Sequence, residues 1–485
     1  MFRPTLRAST ACFALLTSGM LLAACGDEPS DRFEGDPVGA TVDVPATYAF
    51  ESRFVDGASS VAYSGQTYRH VLIDELNAWI AGMGDAIDGG SFQPAADGDV
   101  VASLDFYFRF DSASNGSTGL TAYDFDLPLL QGTFDDISSD KDLVGKLAGN
   151  DSATDHMDWS TAFGGWSDAS IAASGGSIDS PEGLVLAFFE TLEDNAIGRA
   201  EGTVRQGPDG AQLPVYVTET GLDLRQLTQK FLLMAVTFSQ AADDYLDDDT
   251  DGKGLLAPNT QDGDNAYSTL EHQWDEGFGY FGASIDYSAW TDAAIADGAV
   301  MDLDGDGSID LGSEVNFGAS TNAAKRDAGA TVATDFTAEA FAGFRTGRAI
   351  IAAAGDTLTD DEMAALMTER DRAIGAWESA IAATVVHYIN DTLGDMDAMG
   401  TDDYSFTDHA KHWSELKGFA LGFQFNPRSP LSDADFAQFH QLVGDAPVLE
   451  SAGAEALDAY RADLLAARDL LQTAYGFDPQ NVENW

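Results

Sequence analysis

Asp302-Leu303-Asp304-Gly305-Asp306-Gly307-Ser308-Ile309-Asp310 sets carboxylates at alternate positions, with glycines at the bend and an apolar residue after it. A hard cation such as calcium takes roughly six to eight oxygen ligands, and a short loop supplies them only if oxygens alternate and a glycine makes the sharp turn. The pattern departs from the usual loop at its end, where Ser313 stands in place of the expected glutamate and Glu314 lies one residue further on. The expectation is calcium held by Asp302, Asp304, Asp306, Ser308, Asp310 and Glu314. The alternative is an acidic, glycine-rich turn in an acidic chain. Asp247, Asp249, Asp251 and Gly252 repeat the spacing in a weaker form.

A second set of residues suggests softer metals. Trp274-Asp275-Glu276-Gly277-Phe278-Gly279-Tyr280 and Trp413-Ser414-Glu415-Leu416-Lys417-Gly418-Phe419 both read W-x-E-x-x-G-aromatic. His272 precedes Asp275 and Glu276 by three and four residues, which places all three on one helical face. His412 precedes Glu415 by three, and His387 lies on the long helix before that copy. Carboxylates and imidazoles projecting from facing helices are how bundles build transition-metal sites. His272, Asp275, Glu276, His387, His412 and Glu415 are therefore candidate ligands for iron or another transition metal. The alternative is packing: Gly279 and Gly418 admit a close neighbour helix, and each histidine taken alone reads as an ordinary core or surface residue. No H-E-x-x-H run, G-x-S-x-G elbow or mature cysteine nucleophile is present, which leaves a metallopeptidase the weakest reading.

The third chemical feature is Cys25. Arg3 and Arg7 precede an apolar stretch that ends in Leu22-Ala23-Ala24-Cys25, the pattern of a secretory signal whose following cysteine carries lipid. Residues 1–25 are read as a lipoprotein signal ending at the lipidated Cys25, and 26–43 as a flexible tether. Gly26, rather than aspartate, after the cysteine points to the outer membrane, with the body periplasmic or surface-facing. The one other cysteine, Cys12, leaves with the signal, so the mature chain has no disulfides. With 81 acids against 24 bases and a net charge of −57, the chain repels nucleic acid and anionic headgroups and attracts cations.

These side chains need elements to position them, and the spacing is mostly helical. Leu72, Ile73, Leu76, Trp79 and Ile80 form a stripe between Gln66 and Met83, and Leu224, Leu227, Phe231, Met234, Ala235 and Phe238 form another. Further helices are expected from Ser180 to about Asn195, Ser268 to Tyr280, Asp335 to Ala353, Thr407 to Phe423, Ser432 to Leu442 and Ala454 to Ala474. Thr359 with Glu362 makes a capping box that opens a long helix to about Leu393. Val100 to Phe108 and Leu213 to Val217 read as short strands. The fold class expected is mainly α, a duplicated helical-hairpin, four-helix-bundle-like core with small irregular or β insertions. The duplicated parts are about 222–282 and 360–423 within a domain of 44–485.

Several stretches resemble a bacterial lipoprotein family known as domain of unknown function 4856. They are Val44-Pro45 with Tyr48 and Phe50, Tyr63-Ser64-Gly65-Gln66-Thr67 with Arg69 and Glu75-Leu76, Glu271 through Gly282, and His412 through Phe419. That family is similar to imelysin-type proteins, which are helical, duplicated, extracytoplasmic and linked to iron uptake through a G-x-H-x-x-E motif. Here the nearest matches, His272-x-x-Asp275-Glu276 and His412-x-x-Glu415, lack the leading glycine. The resemblance implies a membrane-anchored lipoprotein that binds a metal ion or chelate, with iron the first choice, as an accessory to uptake. Its partners would be the membrane, through the lipid, and a TonB-dependent receptor or an imelysin-type protein. A non-enzymatic surface or interaction protein stiffened by calcium is the alternative.

Overall fold

The apolar stripes become buried helix faces. The computed structural model describes residues 42–151, 155–167, 171, 178–208 and 210–485, all within one unit, Gly39–Trp485. Cys25, the signal segment and residues 26–41 of the tether lie outside the described residues. The described residues are mainly helical, 57% of them in helices. In order the helices are α1 (Ser64–Asp88), α2 (Asp99–Phe108), α3 (Ser112–Asn115), α4 (Trp159–Ala162), α5 (Pro181–Ala200), α6 (Leu224–Leu232) and α7 (Thr269–Phe281). There follow α8 (Asp292–Ala296), α9 (Gly318–Ala328), α10 (Phe336–Ala353), α11 (Asp360–Ala398), α12 (Phe406–Ala420), α13 (Asp433–Val443), α14 (Ala454–Tyr475) and α15 (Pro479–Asn484). None of the described helices is long and apolar enough to cross a membrane.

Local signals set most boundaries. Ser180, Asp223, Ser268, Thr359, Ser405 and Ser432 each accept a backbone N–H at a helix start, satisfying a donor that has no partner within the helix. Ser268 with Glu271 and Thr359 with Glu362 close reciprocal capping boxes. Gly282, at φ 75°, ends α7 in the left-handed conformation that only glycine adopts freely.

Two expectations are corrected. Val100 to Phe108 is helix α2, not strand: Val100, Leu104 and Phe108 recur every four residues and are all buried. Its start is capped from a distance, because the Glu193 carboxylate on α5 accepts the N–H groups of Gly98, Val100 and Val101. Leu213 to Val217 forms no strand either. Pairing there is limited to isolated bridges, Gln206 with Gln212 and Val217 with Asp223, while the Arg205 guanidinium binds the carbonyls of Pro214, Val215 and Val217. Among the described residues there is no sheet.

Helix α6 does not stop at Leu232. It widens into π-helical turns over Leu233–Phe238 and Ala241–Tyr245. The Thr237 and Ser239 hydroxyls donate to the carbonyls of Leu233 and Ala235, and the Ala235 carbonyl also accepts from the backbone of Ala148. Side chains and a neighbouring segment thus satisfy carbonyls that the regular ladder would have used, as is usual where a helix bulges.

The two tryptophan motifs share one packing arrangement. Trp274 and Trp413 are fully buried, and their indole N–H groups donate to the Phe344 carbonyl and the Tyr460 hydroxyl, each at 2.8 Å. A Cβ on Gly279 would lie 2.6 Å from that of Tyr63 at the start of α1, and one on Gly418 would lie 2.7 Å from that of Lys230 on α6. At both glycines a neighbouring segment comes too close to admit a side chain without a shift.

Candidate metal centres

Of the six residues expected to hold calcium, the structure brings Asp302, Asp304 and Asp306 together. One ligand atom from each of Asp302, Asp304 and Asp306 lies within 4.8 Å of the other two, and among the described residues this is the only such group of His, Cys, Asp or Glu. Backbone amides fix the carboxylates. Asp302 accepts from Gly305, Asp306 and Gly307, Asp304 accepts from Asp306, and Asp306 accepts from the N–H and hydroxyl of Ser308. Gly305 and Gly307 have φ of 76° and 87°, which is why glycine occupies both bends. Glu314 is buried, and its two oxygens accept from Leu303 at 2.6 Å and Asp310 at 2.8 Å, which ties the end of the loop to its beginning. Asp310 itself accepts from Gln131, Gly312 and Ser313. Ile309 anchors the loop to the body through backbone bonds with Pro128 and Leu130, both 2.8 Å. Three carboxylates this close repel one another, and a cation among them would relieve that.

Asp247, Asp249 and Asp251 form no comparable group. Asp247 is paired with Arg428, and the adjacent Asp248 with Arg370 at 3.0 Å.

The six candidate transition-metal ligands are dispersed into four settings. Asp275 is fully buried and accepts from Arg348 Nε at 2.9 Å and the Tyr48 hydroxyl at 2.8 Å. Glu276 accepts from Gln66 at 2.8 Å, and His272 lies 3.9 Å from it while its Nδ1 is 3.0 Å from the Ala62 carbonyl. Glu415 is buried on α12, 3.5 Å from Lys230, with one oxygen lacking a hydrogen bond. Asp275 and Glu415 thus face protein cations, which already supply the charge a metal would bring.

His387 and His412 do converge, and two aspartates that the sequence reading passed over join them. His387 Nε2 is 3.2 Å from Asp391, four residues along α11, and His412 Nε2 on α12 is 3.9 Å from the same oxygen. His412 Nδ1 is 2.8 Å from Asp395. Burial, then the nearby Arg326 guanidinium, push the His387 imidazole down to about 4, so it is neutral at physiological pH. Burial works against charging His412 too, but contact with Asp395 outweighs it and raises this imidazole above its ordinary value. Neutral imidazole beside carboxylate suits a metal, whereas the positive Arg326 opposes one. The helical repeat of Asp391 and Asp395 behind His387, one turn apart each, was the signal available in the sequence.

A cluster around the widened helix was also missed. His156 Nδ1 sits 2.8 Å from Asp243, and Asp155 is close to Asp243, Asp151 and Asp244. Burial followed by these like charges raises Asp155 to about 7, and burial raises Asp243 and Asp244 to about 6.

No curated protein and no solved structure matches the chain. Residues 182–426, just over half of the sequence and including α5 to α7, the acidic loop and both tryptophan motifs, match the family described as Domain of unknown function (DUF4856), and the chain belongs to that family.

Proposed function

We propose that this protein is a membrane-tethered, extracytoplasmic calcium-binding lipoprotein that serves as a binding scaffold rather than an enzyme. The carrying observation is the Asp302–Asp304–Asp306 group, with its carboxylates oriented by backbone amides and its end closed by Glu314. The lipid anchor at Cys25 rests on the sequence of the first 25 residues. Calcium would neutralise the loop and hold it against the segment at Leu129, to which Ile309 is bridged. Calorimetric titration of the metal-stripped protein with calcium tests this. One stoichiometric site that Asp302→Ala with Asp304→Ala abolishes supports the reading, and an undiminished signal in that variant sinks it.

A second reading is capture of iron or another transition metal, as an accessory to a TonB-dependent receptor or an imelysin-type protein. The observation in its favour is the sharing of Asp391 by His387 and His412. Elemental analysis after dialysis against ferrous iron and zinc separates it from the first. Metal lost in His387→Ala and His412→Ala but retained in Glu276→Ala supports capture at this site, and no retained metal in the parent protein removes it.

A further inference from the structure

A cavity of about 730 Å³ lies beside α13, and its opposite wall includes His156 to Ser167. That size falls in the range of small-molecule sites, roughly 300–1,000 Å³. The wall is stitched to the body at three points. His156 pairs with Asp243, the backbone of Gly164 exchanges hydrogen bonds with the Gln424 amide at 3.0 and 3.2 Å, and Ser167 donates twice to Asp445. Asp445 is held from behind by buried Lys417 at 3.1 Å, whose ammonium also lies 5.3 Å over the Trp166 ring.

The lining has a definite chemistry. Trp159, Trp166, Phe423 and Phe436 give it aromatic surface. Gln441 adds an amide, which donates and accepts, and Asp433 and Asp445 add acceptors, whereas the amides of Gln424 and Asn426 are bonded to Gly164, Leu421, Glu378 and Arg428 within the protein. Among the described lining residues there is no lysine or arginine. Three lining side chains also carry a buried polar atom without a partner: Trp159 Nε1, Trp166 Nε1 and His440 Nδ1. His440 Nε2 lies 3.3 Å from the Ala420 carbonyl, which can only accept, so Nε2 carries the proton and Nδ1 is a bare acceptor. These three atoms are themselves closed off from solvent, so the surface of the cavity is left to the ring faces, Gln441 and the carboxylates.

We propose that this cavity binds a small neutral saccharide of one or two rings, its apolar ring faces against the aromatic wall and its hydroxyls against the Gln441 amide and the carboxylates. An anion would meet Asp433 and Asp445 with no lysine or arginine among the described lining residues, in a chain of net charge −57. An organic cation would find Asp445 already paired with Lys417 at 3.1 Å, which leaves Asp433 as the one open carboxylate among the described lining residues. A polyol satisfies amide and carboxylate alike, because each hydroxyl donates and accepts.

The test is calorimetry and tryptophan emission on the purified full-length protein, with glucose, maltose, cellobiose and diacetylchitobiose as probes and choline and glucuronate as charged comparators. At least one neutral sugar is expected to bind with a Kd of about 1 mM or tighter and to change the emission. Gln441→Ala and Asp433→Ala, both at exposed positions, should weaken it about fivefold each, the effect of one lost hydrogen bond. Binding of choline or glucuronate alone, no neutral sugar bound at about 10 mM, or sugar binding indifferent to both substitutions overturns the proposal.

Discussion

Arg348 and Asp275, seventy-three positions apart in sequence, form an ion pair in which both side chains are fully out of contact with solvent, Nε to Oδ1 at 2.9 Å. The guanidinium also donates to Glu271 at 3.0 Å and to the Ser60 hydroxyl at 2.7 Å. Glu271 uses its other oxygen to cap α7 at Ser268. A conspicuous carboxylate of the first tryptophan motif is thus committed to joining α7, α10 and the segment before α1.

Removing one partner of such a pair leaves an uncompensated buried charge. Arg348→Met should lower the unfolding free energy by about 3–5 kcal/mol. Urea denaturation measures it, and a loss below about 1 kcal/mol would show that the site is hydrated rather than sealed.

Glycine substitutions should split by location. Gly279→Ala drives a methyl group to within 2.6 Å of Tyr63 and 2.9 Å of Gln66, so it should cost about 1–3 kcal/mol. Gly82 is an exposed, interior position of α1 with nothing within 4 Å of its would-be Cβ, and Gly82→Ala should stabilise by about 0.5–1 kcal/mol. Equal effects of the two in thermal denaturation would contradict the close approach at Gly279.

Calcium should stabilise the folded chain by linkage. At one hundred times its dissociation constant a ligand specific to the native state adds about 2.7 kcal/mol, and Asp302→Ala should erase that increment while leaving the calcium-free protein nearly as stable. Melting curves in calcium and in chelator test it, and a calcium shift of unchanged size in the variant would move the site elsewhere.

The acid cluster predicts a pH dependence with a definite sign. Asp155 is raised from 3.8 to about 7, chiefly by burial, so between these values the folded state binds a proton that the unfolded state has lost. Its contribution to stability therefore falls as pH rises from about 4 to about 7. Buried His70 acts oppositely: burial lowers it from 6.5 to about 4, and its contribution grows as pH rises through that range. Comparing urea midpoints of the parent and Asp155→Asn isolates the first group. The two should converge near pH 4 and the variant should gain toward pH 8, whereas a pH-independent difference would refute the assignment.

Much of the fold was legible because its determinants are local. Ser268 with Glu271 and Thr359 with Glu362 announce helix starts within four residues, and the calcium-type loop carries its amide donors within six residues of Asp302. Val100 to Phe108 misled because its apolar, aromatic composition favours strand. The helix there is capped by Glu193, 93 residues away. The Leu213 to Val217 stretch has alternating apolar residues but no neighbouring strand to pair with, and Arg205 takes its carbonyls instead.

The candidate metal ligands mark the same boundary. The sequence by itself determined that His272, Asp275 and Glu276 share a helical face and that Asp302, Asp304 and Asp306 can meet. These follow from a helical period of 3.6 residues or from a short loop's reach. Only the tertiary structure decided that Asp275 faces Arg348, that Glu415 faces Lys230, and that His387 meets His412 across Asp391. Those outcomes depend on which helices pack together and at what depth, and burial requires each carboxylate to find a partner from whichever segment arrives beside it.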